Sequence, residues 1–182
     1  MNAKSLVSLA TLFALFGLSV AAQDPRGQPT AKSQERITRE VRHELLMLPY
    51  FGVFDNIAYK VDGDSVTLLG SVVRPSLKSD AENSVKRIEG VEHVNNQIDV
   101  LPPSNMDDQL RLSLFRSIYG FPGLQKYELG VQKPIRIIVK NGHVSLEGVV
   151  DSQADKDLAG LRAKTVPGSF SVENNLQVTE SK

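Results

Sequence analysis

Three histidines, His43, His93 and His143, are the obvious places to look for chemistry. Neutral imidazole acts as base, acid or metal ligand near pH 7. Their spacing supports none of these roles. His43-Glu44 has no second His four residues after the first, so the helical zinc-protease pattern fails. His143 follows the turn pair Asn141-Gly142 and opens a strand, an edge-of-turn position. Asp62 and Asp64 flank Gly63 like the start of a calcium loop, but the later acidic ligand is missing, and the pair reads as a solvated hairpin tip. No G-x-S-x-G, phosphate-binding loop or G-x-G-x-x-G occurs. With no Cys, disulfides, thiolate zinc sites, iron–sulfur clusters, a Cys nucleophile and a Cys-linked lipid anchor are all excluded. The expectation is a protein without catalytic residues, cofactor or metal.

Among 182 residues, 21 Lys+Arg face 21 Asp+Glu, which argues against a nucleic-acid partner. The N-terminus reads as a secretory signal peptide over 1–22. Lys4 supplies the positive start, 6–20 is an apolar run, and Val20-Ala21-Ala22 offers small residues for cleavage before Gln23. An uncleaved anchor is the alternative, but the run is short of the roughly 20 residues that span a bilayer. No later run is as long, so no transmembrane span is expected after cleavage. Residues 23–34 are polar, with two Pro and one Gly, and read as a flexible stalk.

The remainder repeats itself. Residues 66–100 align without a gap on 144–178, a shift of 78, with 11 identities in 35 positions. These include Val66/Val144, Leu68/Leu146, Gly70/Gly148, Ala81/Ala159, Gly90/Gly168 and Asn96/Asn174. Upstream, Ile57, Tyr59 and Val61 match Ile135, Ile137 and Val139. Further back the shift becomes 73, so the second copy holds five extra residues between its first helix and first strand. The copies span 35–102 and 107–180, joined by a linker at 103–106.

Each copy implies helix, strand, strand, helix, strand. Ile37, Val41, Leu45 and Leu48 form one helical stripe, as do Leu110, Leu114 and Ile118. Asp62-Gly63 and Asn141-Gly142 are type I′ hairpin dipeptides. The second helices turn Ala81, Val85, Ile88 and Ala159, Ala163, Val166 inward, and Gly90 and Gly168 end them. Gly70 and Gly148 are expected to let a helix approach the sheet. Asn96 and Asn174 lie on the apolar phase of the last strand and need backbone partners there. The fold class is α+β: two tandem αββαβ repeats, each a small mixed three-stranded sheet with two helices on one face. A repeat of this size is marginal alone, so the copies should pack on each other or on a partner.

The run Gly70-Ser71-Val72, Ala81, Gly90-Val91 and Val94-Asn95-Asn96-Gln97-Ile98-Asp99-Val100 resembles the BON domain. The second copy repeats it as Gly148-Val149-Val150, Ala159, Gly168 and Val172 to Val178. The resemblance implies a non-enzymatic, periplasmic cell-envelope role linked to envelope or osmotic stress. The implied partners are phospholipid surfaces or envelope proteins; a chaperone-like or scaffold protein binding polypeptides is the alternative. Lipid-anchored members carry a Cys at the mature N-terminus, which this chain lacks.

The copies differ where a working surface could lie. Residues 35–102 carry 8 basic and 11 acidic side chains; residues 104–182 carry 10 and 9. The second copy has the longer apolar loop, with Phe121 and Leu124 expected to wedge among acyl chains and Arg116, Lys126 and Lys133 to meet anionic head groups. Leu158 and Leu161 replace Asp80 and Asn83 and suggest a partner or inter-repeat surface.

Overall fold

The apolar stripes fold as helices over two sheets, and each sheet is built on its second strand. The structure is a computed structural model describing residues 31–130 and 132–179. The signal peptide and most of the stalk lie outside the described residues. The first repeat comprises α1 (Ala31–Leu46), β1 (Asn56–Asp62), β2 (Ser65–Val72), α2 (Pro75–Lys86) and a last strand in two pieces, β3 (His93–Asn96) and β4 (Asp99–Val100). The second comprises α3 (Asn105–Tyr119), β5 (Ile135–Lys140), β6 (His143–Val150), α4 (Gln153–Lys164), β7 (Ser171–Asn174) and β8 (Gln177–Val178). In each, the first strand pairs antiparallel with the second, and the last runs parallel to the second's other edge. The helical crossover requires that parallel pairing.

Two separate cores result. Ile37, Val41, Leu45 and Leu48 pack with Val66, Leu68, Val72, Ala81 and Val85. Leu110, Leu114 and Ile118 pack with Ile135, Ile137, Val139, Leu146 and Ala159. Pro75 sets the first turn of α2, where its missing N–H costs nothing. Ser104 and Ser152 cap α3 and α4 by accepting from Asp107 N and Asp155 N.

Several expectations need correcting. Residues 31–34 are the first turn of α1 rather than stalk, and Gln34 Nε2 donates to Val61 O at 3.2 Å. The linker is shorter than 103–106, because Ser104 starts α3 one residue later. The first hairpin turns on Gly63-Asp64, not Asp62-Gly63, since Asp62 still pairs with Ser65. Only Gly63 there has positive φ, as in a type II′ turn, whereas Asn141 and Gly142 both do. Gly90 and Gly168 do not cap the helices, which end at Lys86 and Lys164. They sit in the following turn with φ of 86° and 95°.

Candidate functional site

Three polar side chains in or at the edge of the interior serve the fold, the half-buried Asn96 and Asn174 and the buried Asp107. Asn96 Nδ2 donates to Lys78 O at 2.9 Å, and its Oδ1 accepts from Ile98 N at 3.2 Å. Asn174 does the same, to Lys156 O at 2.7 Å and from Leu176 N at 3.4 Å. Each Asn ties helix to strand and takes up the N–H freed where the last strand breaks. Asp107 is buried and accepts from Asn141 N and Gly142 N at 2.8 and 2.9 Å, pinning the second hairpin to the start of α3.

Gly70 and Gly148 face a strand, not a helix. A Cβ at Gly70 would lie 2.2 Å from Asn56 O, and one at Gly148 1.9 Å from Pro134 O. Their φ values of 113° and 115° also require glycine.

The surface expected from the second copy's loop does not assemble. Leu124 is fully buried in the second core and is not available to a membrane. Phe121 is half-buried, with the Arg162 guanidinium 5.0 Å from its ring centroid. Lys126 bonds Asp151 and Asp155 at 3.0 and 2.9 Å. Its ammonium is held well above the ordinary lysine range, chiefly by Asp155. Lys133 donates to Glu128 O and Gly130 O at 2.5 and 3.0 Å. Arg116 is exposed on α3. Leu158 is half-buried against the second core, and Leu161 is 60% exposed.

Of the concave regions among the described residues, one carries exposed apolar side chains on its rim and another holds two arginines. A groove of about 440 Å³ lies at one end of the second repeat, between α3, the β5–β6 turn and the turn after α4. Leu110, Pro167, Met106 and Phe170 line it, and the last two are 81% and 80% exposed. At the matched positions the first repeat has Ser33 and Glu92. A cleft of about 280 Å³ lies between the repeats, lined by Arg42, Leu45, Leu46, Phe51, Tyr59 and Arg136 among others.

The repeats dock through the segment Phe51 to Phe54 of the first repeat. Val53 O accepts from Ile137 N at 2.9 Å, on the open edge of β5. Val53 and Phe54 pack against the second core, and Phe54 meets Phe115 edge-on at 6.4 Å. Arg136 Nη1 donates to Gly52 O at 2.8 Å, and its guanidinium lies 4.5 Å from the Phe51 ring centroid. One sequence signal marked this face. Arg136 and Ile138, on the strand phase opposite the core, stand where the first repeat has Ala58 and exposed Lys60. Ile138 thus puts an apolar side chain on the face opposite the core, and it is buried there.

The architecture is that of a duplicated α+β module whose paired asparagines tie helix to sheet. The chain belongs to the BON domain family, whose model matches residues 33–102 and 127–180. The second match begins at Tyr127, leaving α3 outside it although α3 occupies the place of α1. The chain is 32% identical over 133 residues to osmotically-inducible protein Y of Escherichia coli, a match covering 67% of this chain and 61% of that protein. It thus spans less than two thirds of that relative's length. Among solved structures, the chain is similar to CdsD, a structural protein of the type III secretion system of Chlamydia trachomatis. That match covers 80% of this chain and 94% of the other at 11% identity, with a TM-score of 0.29. No helix among the described residues is long and apolar enough to cross a membrane.

Proposed function

We propose that this chain is a non-catalytic module exported to the periplasm, where it associates peripherally with anionic phospholipid under osmotic or envelope stress. Family membership and the osmotically-inducible relative support the setting. The leader-like 1–22 supports export. The observation carrying the membrane reading is the apolar rim of the second repeat. Met106 and Phe170 stand four-fifths exposed where the first repeat has Ser33 and Glu92. Burying one such side chain contributes about 1.5–3 kcal/mol, so two of them inserted among acyl chains supply a useful part of a reversible interfacial affinity.

Co-sedimentation with anionic and neutral vesicles tests this. Wild type should sediment with anionic vesicles, less so as salt rises. Met106→Ser with Phe170→Ser should reduce sedimentation without lowering the melting temperature, since both side chains are already exposed. A wild type that ignores anionic vesicles at low salt, yet suppresses aggregation of an unfolded polypeptide, would replace the membrane reading with the chaperone-like one.

A further inference from the structure

The cleft between the repeats holds an arginine that makes no ion pair within the protein. Arg136 is 9% exposed, and its hydrogen bonds go to neutral acceptors, Gly52 O at 2.8 Å and Gln132 Oε1 at 3.0 Å. A guanidinium carries five N–H donors, and these bonds use two of them. The acidic group that acts on it, Asp55, makes no ion pair with it. The Asp55 carboxylate instead accepts from Gly52 N and Val73 N at 2.9 and 2.8 Å. Burial pushes the Arg136 guanidinium below its ordinary range, as expected of a cation short of a counter-ion. Arg42 lines the same cleft from the exposed side of α1, and no Asp or Glu is among the lining residues. A buried cation whose hydrogen bonds all go to neutral groups is costly unless something compensates it. Asp55 compensates it only through space, and the guanidinium donors left over fit an anion from outside. We infer that the cleft between the repeats binds the phosphate head group of an anionic lipid between Arg42 and Arg136.

The apolar walls favour a lipid over free phosphate. Leu45, Leu46, Phe51, Ile57 and Tyr59 surround the two arginines and would meet glycerol and the first chain carbons. The volume, about 280 Å³, is at or below the roughly 300–1,000 Å³ of sites that enclose a drug-sized ligand. The cleft therefore takes a head group and leaves the chains outside. Exposed Met47 lies on the chain just beyond Leu46. A planar guanidinium fork suits a phosphate better than an ammonium does. This inference rests on the membrane reading above, but it concerns a different part of the molecule from the Met106 and Phe170 rim.

Nitrogen-15 NMR of the full chain tests it, with dihexanoylphosphatidylglycerol below its micelle concentration as the probe. The Arg136 Nε–H and the amides of Ile57 and Tyr59 should shift with the anionic lipid and stay still with dihexanoylphosphatidylcholine. Arg42→Gln, at an exposed position, should weaken the binding about tenfold, the share of one charge-assisted hydrogen bond, with an unchanged melting temperature. Inorganic phosphate binding as tightly as the lipid would overturn the lipid assignment. No shift at the cleft, in a protein that still sediments with anionic vesicles, would overturn this site and leave the proposed function standing. Failure of both measurements would overturn both. The wild-type titration decides these outcomes whatever Arg42→Gln does to folding.

Discussion

Asn96 and Asn174 each donate to a helix carbonyl and accept from the N–H two residues on, so each ties a helix to the sheet and satisfies one backbone N–H that strand pairing leaves over. Replacement by Ala should cost about 1–2 kcal/mol in either repeat, read from urea unfolding. Replacement by Asp should cost more, because a carboxylate cannot donate to Lys78 O or Lys156 O. Gly148→Ala should be worse still, since its Cβ would overlap Pro134 O in a backbone region that L-residues avoid. The asparagine role was legible in the sequence, because a polar residue on an apolar phase demands backbone partners. The glycine role was only half legible. A repeated Gly says that a Cβ is excluded, but not whether a helix or a strand excludes it. Leu124 was misread for a related reason. An apolar residue in a loop looks the same whether the loop stands out or folds back, and this one folds back to full burial.

The five extra residues of the second copy fold back because a polar cluster fastens them. Tyr127 OH donates to Asp155 Oδ2 at 2.8 Å and accepts from Asp151 N at 2.8 Å, while Lys126 and Ser152 reach the same Asp155 oxygen. This joins the segment Gln125–Tyr127 to the first turn of α4. Burial pushes the Asp155 carboxyl up, but the bonds from Lys126, Tyr127 and Ser152 outweigh it and hold it below the ordinary aspartate range. A lowered folded-state value stabilises the protein above the unfolded value of about 4, and that stabilisation is lost as pH falls through the folded one. Asp155→Asn should therefore be less stable than wild type at neutral pH. The gap should close in acid, as denaturation followed by circular dichroism across pH would show. At this scale the order and type of the main elements were legible, because periods of 3.6 and 2 recur in both copies. The break in each last strand was not. Val94, Asn96, Ile98 and Val100 keep an unbroken alternation across a ladder that parts after Asn96.

At the scale of the whole molecule, the apolar coupling between the repeats runs through Phe51 to Phe54, flanked by the polar contacts Gln132 Nε2 to Leu46 O and Lys140 to Asp99, and it can be measured at one amide. That the copies pack together was foreseeable from their size. The residues responsible were not, because an apolar turn such as Phe51 to Phe54 reads the same in sequence whether it faces water or a neighbouring repeat. Val53 and Phe54 enter the second core, and Ile137 N–H bonds Val53 O on a strand edge that would otherwise face water. An edge amide paired in this way exchanges slowly only while the repeats stay docked. Phe54 is half-buried, so Phe54→Ala should cost about 1–3 kcal/mol, less than the 3–5 typical of a fully buried ring. The loss should fall on docking rather than on either core. Hydrogen exchange should then show Ile137 N–H losing protection, while the amides of Leu68 and Leu146, in the central strand of each repeat, keep theirs. If all three lose protection together, docking and folding are one cooperative event, and the two cores are not independently stable.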